Sequence, residues 1–590
     1  MWFSQWPVPV AALAALLLLG ACADANDGAG ESPGQEEEGL SAAEQAEQEQ
    51  RAEQERVQEL LDDHEAALTG PSEQHDDEAA ELVAEMTVAQ QAGQVLIGEY
   101  SGTDAESAAQ LIEDLHLGGV ILMGHNIPGG TSSVDPESLA AQVETMAAAS
   151  GSDADDEDGA GERAAPPIIS VDQEGGLVTR IGEPVTEWPT PMAYGAAAAA
   201  DDHQGVQLAR TGHRGLAEEL AELGFTVSFA PTADVTVGAS DPTIGSRSFG
   251  SSAQAVAELS EASIRGMAEG GLAGSVKHFP GHGSVTEDSH ATLPIQEASI
   301  EQLRERDWMP FAATVESGVP MVMMGHIEVP ALEEGVPSSL SDAAYQQIRQ
   351  MGHEGVIVTD ALNMAALADR YGADRAVVDA LGAGADLLLM PASVPGARQA
   401  IIEAVESEQL PQDRLDEAAQ RVVALALWQQ DLASGDLAAG PGAQIPEEVS
   451  EELGVIDATG TEASRMVTDA AVTMVEGECE APLVDESIQI LGGTEEDRAR
   501  LEAAAQRAEI QVGWGPTVTL LGGTAAGAGD VVVALDRPEA LAASTAETKI
   551  ALYGRTPESF DALIEVLTGA ESAGALPVDL GEQSIGHSAC

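Results

Sequence analysis

The sequence predicts an α/β chain: a (β/α)8 barrel of the TIM type followed by a smaller α/β sandwich domain. Three observations carry that reading. Eight short apolar runs alternate with Ala-rich segments of helical length between about Leu82 and Ala426. A stretch rich in Gly, Pro and acids then interrupts the pattern, and four further runs follow it. Charged and titratable side chains fall at the ends of several of the eight runs, where a barrel of parallel strands gathers its chemistry. A doubly wound sheet is the alternative, but eight regular units favour closure.

Taken in order, the chain opens with an apolar run, Val10 to Leu19, that ends in Leu19-Gly20-Ala21-Cys22. The run is too short to span a bilayer and suits the core of a signal peptide. Its ending resembles a bacterial lipobox, so residues 1–22 are read as a lipoprotein signal peptide with Cys22 as the acylated residue. An ordinary secretory signal is the alternative. Either places the protein outside the cytoplasm, and the lipid would be its only membrane contact. Residues 23–80 are rich in Glu, Gln, Ala and Asp and read as a solvated acidic tether.

The barrel is expected over residues 81–435. Its runs are VLIGEY (95–100), GVILM (119–123), PIISVD (167–172), TVSFAP (226–231), GSVKHF (274–279), MVMMGHI (321–327), GVIVTDAL (355–362) and ADLLLMP (385–391). The acidic, Gly-rich segment Gly151 to Ala165 reads as a surface insertion. Residues 436–455 form the linker, and residues 456–590 the second domain, with runs at 487–493, 517–523, 531–536 and 550–554. Its glycines follow strands, but none matches G-x-G-x-x-G, so no nucleotide site is read there. Cys479 and Cys590 lie far apart in sequence and could pair in an oxidising compartment.

Composition excludes some partners. The chain carries 24 Lys and Arg against 101 Asp and Glu, a net charge of −77. Nucleic acid and anionic membrane surfaces would both be repelled. Acidic, lysine-poor surfaces suit a high-salt setting, where screening relieves self-repulsion.

The stretch Gly274 to His290, GSVKHFPGHGSVTEDSH, organises the rest. An apolar run ends near Phe279, Pro280-Gly281 breaks regular structure, and a polar loop carries Asp288 and His290. Lys277 is informative because the chain has only one other lysine, Lys549. His278 and His282 have i,i+4 spacing, but Pro280-Gly281 prevents the helix that would align them on a metal, so no metal is expected. Asp172, Lys277-His278, His326 and Asp360 end the third, fifth, sixth and seventh runs, and Arg180 and Arg247 lie in the loops after the third and fourth. Singly, Asp172 or Asp360 could cap a helix, and Arg247 could make a structural ion pair. Together they describe a pocket suited to a carbohydrate: carboxylates and cations fork onto vicinal hydroxyls while two titratable groups flank a scissile bond.

The motifs DQEGGLVTR (172–180), SFAPTADV (228–235), IGSRSFG (244–250), KHFPGHG with DSH (277–290) and TDALNM (359–364) resemble family 3 glycoside hydrolases, in particular the bacterial β-N-acetylglucosaminidases (β-hexosaminidases). The resemblance runs from about Leu82 to Ala426. It implies a retaining enzyme with Asp360 as nucleophile and His290, paired with Asp288, as acid/base. Asp172, Arg180, Arg247, Lys277 and His278 would hold the sugar, and His282 would be structural. The implied substrates are GlcNAc-containing oligosaccharides from peptidoglycan or chitin, with no cofactor. Alternatives are a phosphorylase or β-glucosidase of the same family, or a sugar-binding lipoprotein with an inactive barrel. If His290 were not the acid, Glu174 and the second domain's carboxylates would be the first candidates. Every assigned residue precedes or is Asp360, so the second domain is expected to be dispensable for catalysis.

Overall fold

In the computed structural model the residues described are 56–149, 165–287, 292–435 and 456–590, apart from a few single positions and the short gaps 480–481 and 524–526. Cys22, Asp288 and His290, like most of the tether, insertion and linker expected from sequence, lie outside them.

Each of the eight apolar runs forms a strand: β1 Leu96–Gly98, β2 Gly119–Leu122, β3 Ile168–Val171, β4 Val227–Ser228, β5 Ala273–Phe279, β6 Met321–Met324, β7 Val356–Thr359 and β8 Leu388–Leu389. Neighbours in sequence are parallel neighbours in the sheet, and β8 pairs with β1 through Leu96–Leu388 and Ile97–Leu389. A single parallel bridge, Val358–Leu387, joins the β7 and β8 sides and completes the ring. The expected barrel is borne out.

The runs are continuous because both faces of every strand are covered. Ile97, Ile121, Met321, Met323, Val356 and Val358 fill the barrel interior. Their alternating neighbours Leu96, Val322, Met324 and Ile357 pack outward under helices. Burying two faces with alternate side chains erases the polar beat that an open sheet would show.

The second sheet has the order β10-β11-β12-β13-β9, with β9 Thr473–Glu476, β10 Ser487–Gly492, β11 Gln511–Leu521, β12 Val531–Ala534 and β13 Thr548–Ala551. All pairs are parallel except β9 on β13. β9 is the strand the sequence reading did not list. One face lies against helices Glu495–Arg507 and Pro557–Leu567. The other packs Leu521, Val532, Ala534 and Tyr553 on barrel helix Pro191–Ala200. Cys479 and Cys590 are disulfide-bonded, tying the chain end to the segment after β9.

The N-terminal boundary differs from expectation, which ran the tether to residue 80. Helix Glu73–Glu85 buries Ala79 and Val83, and its His75 reaches Asp431 at 3.2 Å. Upstream, Leu68 joins the side chains filling the barrel, and Trp428 Nε1 donates to the Ala67 carbonyl at 3.1 Å. His64 meets Glu269 at 3.2 Å, and Glu65 meets Arg265 at 2.8 Å. Composition misled here because Leu68, Ala79 and Val83 are inserted while His64, Glu65 and His75 find partners on the barrel helices.

Candidate active site

At the C-terminal ends of the barrel strands lies a pocket of about 310 Å³. It is lined by Asp172 and Glu174 after β3, Arg180 in the following loop, Arg247 after β4, Lys277 and His278 within β5, and Asp360 after β7. Thus six of the sequence-derived positions (Asp172, Arg180, Arg247, Lys277, His278 and Asp360) come together.

β5 is the longest barrel strand because Lys277 and His278 continue it, buried, to Phe279. Gly281 follows with φ +109, and a Cβ there would sit 2.7 Å from Asp307 Cβ, so only glycine fits the turn. The His278 ring is oriented by Asp234, whose Oδ2 lies 2.7 Å from Nδ1. The same carboxylate accepts from the backbone N–H of His278 at 3.2 Å and of His282 at 2.5 Å. Burial pushes the Asp234 carboxyl up, but His278 and His282 outweigh it and hold it below its ordinary range. An acceptor-only carboxylate on Nδ1 fixes the proton there and leaves Nε2 as the other ring nitrogen. His282 also lines the pocket, its own pKa lowered chiefly by burial.

Glu174 is the most heavily paired acid of the site. Arg247 forks onto it with Nε and Nη2 at 2.8 Å each, and Lys277 Nζ lies at 2.6 Å. Burial opposes ionisation, yet the two cations prevail and keep Glu174 far below the ordinary carboxylate range. Such a group has no proton to give at neutral pH, which argues against Glu174 as a general acid. Asp172 is held more loosely, by Lys277 at 3.3 Å and Arg180 at 3.7 Å.

Asp360 follows β7, and its Oδ1 accepts from the N–H of Ala361 at 2.7 Å. Burial raises its pKa, but His326, His278, the Ala361 N–H and Lys277 together bring it below the usual value. His326, buried at the end of β6, braces the same segment. Its Nε2 meets the Ala361 carbonyl at 3.0 Å, which requires an N–H there, and its Nδ1 meets Ser339 Oγ at 2.7 Å. The site therefore presents one ionised, lightly solvated carboxylate at its floor and a wall of fixed hydrogen-bond donors and acceptors. Such an arrangement suits nucleophilic attack on a polyhydroxylated ring.

Sequence reasoning gave Asp234 no role, although its motif was noticed, and placed His326 at a strand end without using it. Asp234 stands six residues beyond β4 and reads as part of an apolar stretch; only the fold brings it to His278. Among the described residues, no group of three or more His, Cys, Asp or Glu side chains is placed to hold a metal ion.

The sequence model of the glycosyl hydrolase family 3 N-terminal domain matches residues 76–425. The chain belongs to that family. The resemblance read from its motifs is borne out, and the match covers the barrel while stopping short of the second sheet. Family relatives include beta-hexosaminidase A of Pseudoalteromonas piscicida, 30% identical over 341 residues, which span 54% of this chain and 54% of that protein. The chain thus spans about half the length of that relative. A beta-hexosaminidase of Thiobacillus denitrificans is 34% identical over 298 residues, 50% of this chain and 77% of its own length. Among solved family structures, a β-N-acetylglucosaminidase from Paenibacillus sp. FPU-7 superimposes with a TM-score of 0.69 at 26% identity, covering 85% of this chain and 99% of its own.

Proposed function

We propose that the chain is a retaining β-N-acetylhexosaminidase that removes terminal β-linked N-acetylglucosamine from peptidoglycan- or chitin-derived oligosaccharides. The observation that carries this is the ionised Asp360 at the pocket floor, faced by the Glu174–Arg247–Lys277 cluster. The family membership and the names of the relatives support the sugar specificity.

In this reading the Asp360 carboxylate attacks the anomeric carbon and forms a glycosyl ester as the glycosidic C–O bond breaks. His290, oriented by Asp288, gives its proton to the departing oxygen. It then takes a proton from the water that attacks the same carbon and releases Asp360. Asp172, Arg180, Arg247, Lys277 and His278 hold the hydroxyls and acetamido group. Acylation at Cys22 would place the enzyme at the outer side of a cell membrane.

The test compares aryl β-N-acetylglucosaminide with aryl β-glucoside, then repeats the first with His290→Ala. Preference for the acetamido sugar is expected, with a glycosyl-enzyme accumulating in the variant and azide partly restoring its turnover. Release of a sugar phosphate on adding inorganic phosphate would instead point to a phosphorylase. Equal slowing of good and poor leaving groups in His290→Ala, without azide rescue, would remove the histidine from the acid/base role.

A further inference from the structure

A side chain of the second domain grips the loop that borders the pocket. Arg537 follows Asp536 just beyond β12, and its guanidinium crosses to the loop after β4. Nη1 donates to the Asp241 carbonyl and Nη2 to the Gly238 carbonyl, each at 2.9 Å. Gly238 opens, and Asp241 caps, the first of two 3₁₀ turns, Gly238–Ser240 and Gly245–Arg247, the second of which ends in the pocket arginine. The guanidinium also lies against Gly245: a Cβ added there would be 2.9 Å from Nη1.

The inner side of this loop is fixed by the buried Asp241 carboxylate. It accepts from Thr236 Oγ1 at 2.8 Å and from the N–H groups of Thr243, Ile244 and Gly245 at 3.0, 2.9 and 3.0 Å. The carboxylate thus holds residues 243–245 from within, while the carbonyls of Gly238 and Asp241 on the same loop take the fork of Arg537. Thr243 and Ile244 line the pocket, and Arg247 three residues beyond Ile244 forks onto Glu174. The chain has only 24 Lys and Arg against 101 acids, yet Arg537 spends its two closest contacts on neutral carbonyls, with Glu539 farther away at 3.4 Å.

We infer that Arg537 is a positioning residue, by which the second domain sets the turn that aims Arg247 and Ile244 at the substrate. The role rests on the proposed glycosidase reading, and it makes the second domain part of the working site, contrary to the dispensability expected from sequence.

The experiment measures kcat and KM on aryl β-N-acetylglucosaminide for the full chain, Arg537→Ala, Arg247→Ala and the double variant. Arg507→Ala, which breaks an exposed pair with Asp561 on the same domain, is the control. Arg537→Ala is expected to raise KM about tenfold with a smaller change in kcat, as a displaced binding group should. Millimolar guanidinium ion should recover part of the loss, and Arg507→Ala should leave KM unchanged. Because Arg537 acts through Arg247, the double variant should be no worse than Arg247→Ala alone. Unchanged KM in Arg537→Ala, or losses that simply multiply in the double variant, would overturn the role while leaving the glycosidase reading in place. An inactive wild-type chain would overturn both. Where Arg537→Ala gives no soluble protein, Arg537→Lys, which keeps the charge but cannot fork onto both carbonyls, supplies the same comparison.

Discussion

Buried charge clusters sit at opposite ends of this barrel, and they are built differently. At the closed end Asp386, fully buried, is bound by three arginines. Arg349 reaches it at 2.5 Å, Arg414 at 2.7 Å and Arg421 at 3.1 Å, and the Ile357 N–H adds a bond at 2.9 Å. Burial opposes its charge, but the three guanidinium groups keep its pKa low. At the open end the cations are shared between two acids. Glu174 is tightly paired, whereas Asp172 keeps contacts of 3.3 and 3.7 Å and 21% of its side chain exposed. Where every lone pair is used, a cluster can only hold the fold together. Where pairing is incomplete and faces a cavity, the unused capacity is available to a ligand. Asp172 shows that unused capacity, whereas Glu174 is paired as fully as Asp386 and serves the pocket by fixing Arg247 and Lys277, which line it.

The largest break in that comparison is Asp360→Asn, which removes the ionised group at the open end. Turnover of an aryl glycoside should fall by at least about 10³-fold with little change in the melting temperature. A variant with near-normal hydrolysis would dismiss Asp360 as nucleophile. The mirror experiment is Asp386→Asn. It strands three guanidinium groups and should cost about 3–5 kcal/mol of stability in denaturant titration, while the remaining folded enzyme turns over normally. Glu174→Gln falls between them: kcat/KM should drop on the order of 10²-fold and stability should suffer less than in Asp386→Asn, because the pocket admits water to the freed cations.

The smallest effect concerns acid. His353 lies at the closed end beside Arg349, and burial first, then that cation, pulls its pKa down to about 4. His213, buried under helix Pro191–Ala200, is likewise pulled down to about 4 by burial. An unfolded imidazole titrates near 6.5. Between about pH 6.5 and 4 the unfolded chain binds protons that the folded chain refuses, so stability falls as pH falls through that window. His353→Gln should flatten the slope by up to about 1.4 kcal/mol per pH unit, measured as unfolding free energy against pH. An unchanged slope would mean that His353 titrates normally in the folded protein. Glu174 and Asp360, also with depressed values, act in the same sense at lower pH: their contribution is present above the ordinary carboxylate pKa and is lost only on stronger acidification.

The barrel was legible because β1 to β8 are short strands covered on both faces, which gives unbroken apolar runs spaced by helices. The pocket was legible because a charge ending such a run is costly without a purpose, and Asp172, Lys277 and Asp360 all do so. The rest depends on contacts that no local pattern announces. Arg537 lies 296 positions from Asp241, and nothing near it in sequence separates it from a solvated arginine. Asp234 was hidden in an apolar stretch. Leu68 was hidden in an acidic one, where a single insertion under the barrel carries no periodicity.

That insertion has a directional consequence. Leu68 plugs the barrel from below, and Gly70 backs onto Pro320, the residue preceding β6. The chain thus enters through the floor, and the mouth opens on the opposite side. The Leu68–Gly70 segment therefore fills the side of the barrel away from Asp360 and leaves the mouth to the loops after the strands. Leu68→Asp should therefore lower the unfolding temperature while leaving KM for large and small substrates in the same ratio.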